Sequence, residues 1–216
     1  MAEFCTIATG ALEENCYLLW QAGRAWIIDP GAESDRIILA LESRGLEPSA
    51  ILLTHGHFDH VGALDDLLER WQALPVLLHA ADQAWAFDHP FNAYPPLYVH
   101  QKRPATLRDA PEGPLALGGL SARLLHTPGH TPGSLCILAK DADGKPICFT
   151  GDTLFQGSIG RTDLPGGSFA QISSSLKRLL ADLPSETRLL PGHGPATDLA
   201  AERDTNPYLQ PDVPLA

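Results

Sequence analysis

The fold of this 216-residue chain is decided by one short stretch, Thr54-His55-Gly56-His57-Phe58-Asp59-His60. The stretch places three imidazoles and one carboxylate within residues 55–60, directly after the apolar run Ile51-Leu52-Leu53. The apolar run predicts a short buried strand, and Gly56 and Gly62 indicate a turn into a helix predicted over 63–73. We therefore expect a strand-to-helix loop that carries metal ligands.

The spacing within this loop favours two metal ions over one. In a tight loop, His55 and His57 can point to one side while Asp59 and His60 point to the other. A zinc ion takes about four ligands, and a catalytic zinc ion keeps one position open for water. Each pair of side chains is thus short of ligands, so the remaining ones must come from elsewhere in the chain.

Three later turns each offer one candidate ligand. His130 and His193 both follow a Pro-Gly pair at the end of a predicted strand, and Asp152 follows Gly151 where another apolar strand ends. A preceding glycine lets the backbone turn sharply at such a position. These three side chains are the candidates for the missing ligands.

With these positions filled, the chain resembles the metallo-β-lactamase-fold hydrolase superfamily. Its signature is His-x-His-x-Asp-His, followed by a distant His, a bridging Asp and a last His. The resemblance implies that metal 1 is held by His55, His57 and His130, that metal 2 is held by Asp59, His60 and His193, and that Asp152 bridges them. It also implies an αββα four-layer sandwich, a single α/β domain over residues 1–216 with the metals at the sheet edge.

Apolar periodicity agrees with two groups of strands, each flanked by helices. The first group is predicted at 15–20, 24–29, 50–53 and 76–79, with helices at 33–44 and 63–73. The second is predicted at 115–117, 122–126, 134–139, 146–150 and 187–190, with a helix at 168–182. Ser168 is the expected N-cap of that helix. The Pro- and aromatic-rich segment from Asp88 to Pro104 shows no periodicity and is expected to be irregular.

Charge and composition exclude several classes of function. The chain has 26 acidic and 15 basic residues, and its net charge is −11. No basic cluster is larger than a pair such as Lys177-Arg178, which argues against a nucleic-acid partner. The first residues, Met1 to Cys5, lack a signal-peptide pattern, and no run is long enough to span a membrane. We expect a cytoplasmic protein with no membrane partner and with four reduced cysteines; its oligomeric state is not indicated.

Within the superfamily, the closest likeness is to the short glyoxalase II-like hydrolases, which cleave the thioester of S-lactoylglutathione. The likeness rests on Asn15-Cys16-Tyr17, Asp29-Pro30-Gly31, residues 54–60, 126–134 and 191–195, and Gly160-Arg161-Thr162-Asp163. It implies thioester hydrolysis by a metal-bridging hydroxide, with Asp59 and Asp152 as the catalytic carboxylates and Asp59 orienting the hydroxide or shuttling its proton. A thioester suits such a site because a thiolate leaves without a strong general acid.

One departure from that subgroup concerns substrate recognition. Full-length glyoxalase II enzymes continue after the last metal-binding histidine into a helical domain that holds glutathione, whereas residues 194–216 are all that follow His193 here. The residues left to contact the small-molecule substrate are the Asp88–Pro104 segment, Arg161 and Tyr208. Arg161 has two interpretations, a bidentate grip on a substrate carboxylate or an ion pair with Asp163.

The alternatives differ in metal content. Persulfide dioxygenases share the fold but use a single iron, whose ligands would correspond to His55, His130 and Asp152. Acyl-lactone hydrolases are a further alternative, whereas class B β-lactamases are disfavoured because they are exported and lack the bridging Asp. A ligand set of five His and two Asp accepts zinc, iron or manganese. We expect two divalent ions, with zinc as the first choice.

Overall fold

Two six-stranded sheets form the centre of the protein in a computed structural model that describes residues 2–88 and 101–210. The first sheet has the order β1 (Glu3–Thr9), β2 (Glu14–Gln21), β3 (Arg24–Ile28), β4 (Glu47–Leu52), β5 (Val76–Leu78) and β6 (Leu107–Asp109). The second has the order β14 (Thr197–Asp198), β13 (Arg188–Pro191), β10 (Pro146–Gly151), β9 (Leu135–Lys140), β8 (Leu120–His126) and β7 (Gly113–Leu117). Strands β11 (Leu154–Phe155) and β12 (Ser158–Ile159) pair separately.

The helices lie on the outer faces of the two sheets. They are α1 (Ser34–Glu42), α2 (Phe58–Val61), α3 (Leu64–Arg70), α4 (Ala80–Asp88), α5 (Phe169–Asp182) and α6 (Leu199–Thr205), followed by a 3-10 helix at Pro207–Leu209. Side chains of α1 and α3 pack in one core with the first sheet, and those of α5 pack in another core with the second sheet. A third core fills the space between the sheets.

Strand β2 shows why the sandwich has four layers. Successive side chains of a strand point to opposite faces. Cys16 and Leu18 pack in the core under the helices, and Tyr17 and Leu19 pack in the core between the sheets. Because both faces of this strand are covered, residues 16–20 in its centre are continuously apolar rather than alternating. The predicted αββα architecture is confirmed.

The structure also adds elements that the periodicity did not predict. Strand β1 is a half-exposed edge strand in which only Thr9 is buried, so its apolar signal is weak. Helix α4 includes Asp88, the first residue of the segment that we expected to be irregular. Residues 89–100 of that segment lie outside the described residues, and residues 101–104 are irregular. The predicted N-cap is confirmed, since Oγ of Ser168 accepts a hydrogen bond of 3.3 Å from the backbone N–H of Gln171.

Strand direction brings the predicted ligands to one edge of the sandwich. Strands β3 and β4 are parallel, as are β10 and β13, and β8 runs in the same direction as β10 because β9 is antiparallel to both. The loops after β4, β8, β10 and β13 therefore emerge together. The N–H of Leu135 donates a 2.7 Å hydrogen bond to the carbonyl of Thr54, which joins the two sheets there.

Two smaller expectations concern cysteines and membranes. All four cysteines are free thiols, with Cys5 half-buried and the other three buried, as predicted. Among the described helices, none has the length and apolar character needed to cross a bilayer.

Candidate metal centre

Three histidine nitrogens face one another at the edge of the sandwich. Nδ1 of His57 lies 3.2 Å from Nε2 of His55 and 2.8 Å from Nε2 of His130. A tetrahedral zinc ion with bonds of about 2.0–2.1 Å would separate its ligand nitrogens by about 3.3 Å. These three buried side chains, the three-nitrogen group, therefore converge at a spacing close to that of one metal site.

A second convergent group lies beside the first. Oδ2 of Asp59 is 4.0 Å from Nε2 of His60 and 3.2 Å from Nε2 of His193. This set, the Asp59 group, combines one carboxylate with two imidazoles, and its ligand atoms lie within 4.8 Å of one another. Such a donor set suits a divalent cation.

The carboxylate of Asp152 lies between the two groups. Its Oδ2 is 3.5 Å from Nε2 of His130 and 3.8 Å from Nε2 of His193, and its Oδ1 is 3.4 Å from Nε2 of His60. One carboxylate thus approaches a nitrogen of each group. The structure brings all seven predicted ligands together, and their role as ligands stays a prediction.

Buried polar atoms without hydrogen bonds provide a test of whether metal ions fit. Nε2 of His60 and Oδ1 of Asp152 are buried and have no hydrogen-bond partner in the described part of the chain. A buried polar atom left unsatisfied costs about 1–3 kcal/mol. A cation bound between these two atoms would satisfy both, so the site fits the metal ions that the sequence predicts.

Protonation of the three-nitrogen group also suits metal binding. Burial lowers the pKa of His55, and the neighbouring His60 and His57 lower it further. Burial likewise lowers the pKa of His57, to about 3, with a further contribution from His130. Both imidazoles are therefore neutral at pH 7, and each keeps a lone pair that can bind a metal ion.

The Asp59 group has the opposite electrostatic character. Burial opposes a charge on His60, but the carboxylates of Asp152, Asp29 and Asp59 outweigh it and raise the pKa of His60 well above its ordinary value. For His193, burial is likewise outweighed by the hydrogen bond with Asp59 and the charge of Asp152, and its pKa is raised. This side of the site thus holds an excess of negative charge that favours a cation.

Hydrogen bonds behind the imidazoles fix which nitrogen faces the site. Nδ1 of His130 lies 2.8 Å from the carbonyl of Arg161, and Nδ1 of His193 lies 3.1 Å from the carbonyl of Leu12. Because a carbonyl only accepts, each Nδ1 must carry a proton, and Nε2 is the nitrogen that faces the other predicted ligands. Such outer hydrogen bonds orient metal-binding histidines in general.

Asp29 is an organising residue to which the sequence analysis assigned no role. Its Oδ2 accepts from Nδ1 of His60 at 3.0 Å and from Oγ1 of Thr54 at 2.6 Å, and its Oδ1 accepts from the N–H of Thr54 at 2.7 Å. Oγ1 of Thr54 lies 3.1 Å from Nδ1 of His55, so Asp29 supports one histidine of each group. The sequence feature that could have identified Asp29 is its position directly after the apolar strand β3, since Asp152 likewise directly follows the apolar strand β10.

Gly192 shows how tightly the site is packed. A Cβ atom at this position would lie 2.4 Å from Oδ1 of Asp152 and 2.7 Å from Cε1 of His60. Both distances are below van der Waals contact, so only glycine leaves room for this carboxylate and this imidazole. The glycine before His193 is therefore needed for space.

A cleft of about 380 Å³ is lined by five of the seven residues: His57, Asp59, His130, Asp152 and His193. Its described lining includes the apolar side chains of Phe58, Phe155 and Ile159, together with Arg161. A larger cavity of about 440 Å³ is lined by residues such as Leu120 and Lys140 and contains none of the seven, so the chemistry belongs to the smaller cleft.

The two predicted substrate contacts occupy different places. Arg161 lines the cleft, and its guanidinium makes two hydrogen bonds to the carboxylate of Asp163, at 2.8 and 2.7 Å. Both side chains are mostly exposed. Tyr208 lies in the 3-10 helix, is 43 % exposed and is absent from the described lining of the cleft.

Comparison of the sequence with known families and proteins gives consistent matches. A sequence model described as "Metallo-beta-lactamase superfamily" matches residues 9–193. A probable metallo-hydrolase of Bacillus subtilis, YqgX, is 42 % identical over 93 % of this chain and 94 % of its own length. The hydroxyacylglutathione hydrolase GloC of Haemophilus influenzae is 36 % identical over 94 % of this chain and 96 % of its own length.

Solved structures with the same architecture include two similar in size to this chain. The crystal structure of TTHA1623 in a di-iron-bound form has a TM-score of 0.83 and 42 % identity, covering 95 % of this chain and 100 % of that one. The crystal structure of BLEG-1, a B3 metallo-beta-lactamase, has a TM-score of 0.84 and 36 % identity, covering 95 % and 99 %. The fold of this chain is thus shared with a metallo-beta-lactamase and with a protein that binds two iron ions.

Proposed function

This chain belongs to the metallo-beta-lactamase superfamily, and we propose that it is a dinuclear metal-dependent hydrolase of thioesters of the S-lactoylglutathione type. The observation that carries the dinuclear assignment is the position of Asp152. Its carboxylate lies within 3.5 Å of Nε2 of His130 in one group and 3.4 Å of Nε2 of His60 in the other. In this proposal, Asp152 would contact two ions, one held by the three-nitrogen group and one by the Asp59 group.

Bound divalent ions would supply the nucleophile and part of the activation. Divalent ions lower the pKa of a bound water to about 7 and polarise a carbonyl oxygen. With a thiolate as leaving group, no strong general acid is required. The site can therefore hydrolyse a thioester in this proposal without a general acid in the cleft to protonate the leaving group.

The carboxylate of Asp59 is the residue best placed to handle the proton of the attacking water. Burial raises the pKa of Asp59, but the charge of His60 and the hydrogen bond with His193 lower it by more. The pKa of Asp59 is therefore below its ordinary value. An ionised Asp59 that lines the cleft can accept a hydrogen bond and so orient the water. The apolar walls formed by Phe58, Phe155 and Ile159 would bind the acyl side of the substrate and exclude bulk water.

Support for a thioester substrate comes from the similarity to the Haemophilus hydroxyacylglutathione hydrolase, which extends over nearly the whole of both chains. Support for two ions comes from the similarity to the di-iron-bound protein. Zinc is our first choice for this chain and iron the second, since the ligand types accept either.

The decisive experiment combines elemental analysis of the purified protein with an assay of S-lactoylglutathione hydrolysis. We expect two metal ions per chain, hydrolysis of the thioester, loss of activity with a chelator and its return with added metal. A homoserine lactone and a β-lactam serve as comparison substrates in the same assay. One iron per chain, with oxygen consumption on a persulfide, would instead establish the dioxygenase alternative. Two ions with no thioester hydrolysis would refute the substrate assignment.

A further inference from the structure

Helix α4 carries a buried carboxylate, that of Asp82, which is not one of the seven residues of the metal centre. The side chain is fully buried and accepts three hydrogen bonds. Its Oδ2 accepts from the N–H of Gly56 at 3.0 Å and from Oγ1 of Thr131 at 2.7 Å, and its Oδ1 accepts from the N–H of Gly133 at 2.6 Å.

The donors belong to the two loops that carry the three-nitrogen group. Gly56 lies between His55 and His57, in the loop after β4 of the first sheet. Thr131 and Gly133 follow His130, in the loop after β8 of the second sheet. The carboxylate of Asp82 thus connects two loops that follow strands of different sheets.

Helix α4 also packs against these loops without free space. A Cβ atom at Gly133 would lie 2.6 Å from Cγ of Asp82, and a Cβ atom at Gly56 would lie 3.0 Å from Cβ of Ala86. The two glycines therefore let the helix approach the loops closely enough for the hydrogen bonds to form. This explains two glycines of the sequence motifs that neither the ligands nor the turns fully account for.

We infer that Asp82 is a positioning residue that fixes the distance between the His55–His57 loop and the His130 loop, and so sets the metal affinity of the three-nitrogen group. The inference rests on the proposed role of these histidines as ligands. Burying a carboxylate is costly unless it is hydrogen-bonded, and all three bonds of Asp82 go to the two metal-site loops. Burial raises the pKa of Asp82, and the hydrogen bonds from Thr131, Gly56 and Gly133 oppose that rise.

The variant Asp82→Asn tests the inference because it keeps the size of the side chain and removes one acceptor. An amide has a single acceptor oxygen, and its NH₂ group must replace either Oδ1 or Oδ2. In the first orientation the NH₂ group faces the N–H of Gly133, and in the second it faces the N–H of Gly56. Either way, two donors face each other and one loop loses its anchor.

We expect Asp82→Asn to weaken one of the two metal-binding steps by roughly 10- to 100-fold, the range found for outer-sphere partners of metal ligands. The measurement is a chelator competition titration of the two bound ions, together with the visible spectrum of the cobalt-substituted protein. The spectrum should change because the geometry around cobalt changes with the distance between the loops. For a thioester substrate, kcat should fall more than KM rises, because Asp82 is absent from the described lining of the cleft.

Glu202 provides a matched control. It is equally buried and also accepts three hydrogen bonds, from the N–H of Gly157 at 2.8 Å, from Oγ1 of Thr197 at 2.7 Å and from Nδ2 of Asn206 at 2.9 Å. None of these donors lies in the two metal-site loops. We therefore expect Glu202→Gln to lower the unfolding temperature while both ions stay bound at wild-type affinity.

The outcomes are separable. If Asp82→Asn binds both ions as tightly as the wild type, with an unchanged cobalt spectrum, Asp82 is a structural residue like Glu202 and the inference is wrong. Should Asp82→Asn fail to fold, Thr131→Val removes one hydrogen bond to Asp82, together with the 2.7 Å hydrogen bond between the hydroxyls of Thr131 and Ser134. Thr131→Val should weaken the same binding step by a smaller factor, and wild-type affinity in this variant would also overturn the inference. A wild-type protein without metal affinity would instead refute the proposed function on which the inference rests.

Discussion

Asn15 and Pro191 are 176 positions apart in the chain, yet Nδ2 of Asn15 donates a hydrogen bond of 3.0 Å to the carbonyl of Pro191. The same amide donates to the carbonyl of Gly194 at 2.8 Å, and the backbone N–H of Asn15 donates to the carbonyl of Gly192 at 2.8 Å. These three carbonyls surround His193. The first hairpin of the protein therefore holds the last predicted ligand in place.

We predict that Asn15→Ala weakens metal binding by the Asp59 group. The variant loses both side-chain hydrogen bonds, and at about 1 kcal/mol each the free energy of unfolding should fall by about 2 kcal/mol. Metal content and denaturant unfolding measure the two effects. Tyr17→Phe is the graded control, since it removes only the 2.7 Å bond from the Tyr17 hydroxyl to the Pro191 carbonyl. Full occupancy of both ions with unchanged stability in Asn15→Ala would show that the loop around His193 keeps its conformation without the hydrogen bonds from Asn15.

Asp152→Ala should remove most of the activity and leave at most one ion per chain. Asp152 is the carboxylate that approaches both groups, so its loss leaves each group with three ligands or fewer. Elemental analysis after dialysis and a thioester assay are the measurements. Asp198→Ala, which changes an exposed carboxylate in β14, should retain both ions. Two tightly bound ions in Asp152→Ala would contradict a bridging role.

His193→Ala distinguishes a dinuclear enzyme from a mononuclear one. Without this imidazole, Asp59 and His60 would hold their ion poorly, and turnover should drop strongly if both ions are needed. His79→Ala is the control, because His79 stacks on His126 at 4.2 Å and belongs to neither ligand group. Near-normal turnover of His193→Ala with one iron per chain would favour the dioxygenase alternative.

Arg161→Ala tests how a charged substrate is recognised. A contact with a remote carboxylate is made equally in the ground and transition states, so the variant should raise KM for a glutathione thioester more than it lowers kcat. A neutral thioester should be affected less.

The bidentate contact with Asp163 supplies the matched variant for that test. Asp163→Asn should free the Arg161 guanidinium and lower KM for the charged substrate. If Arg161→Ala affects charged and neutral substrates equally, and Asp163→Asn changes neither, Arg161 serves only as a partner of Asp163.

Removal of the metal ions should destabilise the protein. The carboxylates of Asp59, Asp152 and Asp29 then lie close together without a divalent cation to balance them. A ligand that binds only the folded state stabilises it by about 2.7 kcal/mol at 100 times its dissociation constant. Thermal unfolding with a chelator, and again after zinc is restored, measures this contribution. Equal unfolding temperatures in both states would argue against metal binding by the folded protein.

The local sequence was sufficient to predict the architecture and the members of the candidate site. The His55–His60 stretch specifies ligands by residue type and spacing, which are visible without coordinates. The Pro-Gly-His turns and Asp152 follow apolar strands whose periodicity is a local property. The four-layer sandwich then followed from the resemblance, and the positions of β2, β4, β10 and α5 were close to those predicted.

Other features depended on the tertiary structure. The edge strand β1 and helix α4 were missed because a half-exposed strand and a short helix give weak periodic signals. The pairing of Arg161 with Asp163 could be anticipated only as one of two interpretations, because exposed charges have several possible partners.

The chain by itself therefore determined which side chains are candidate metal ligands, since ligand chemistry depends on residue type and on short spacings. Only the tertiary structure decided which residues hold those side chains in place. Asp29, Asp82 and Asn15 act through hydrogen bonds to residues between 25 and 179 positions away. Such distances carry no periodic signal, so their partners become visible only when strand direction brings the loops of both sheets to one edge.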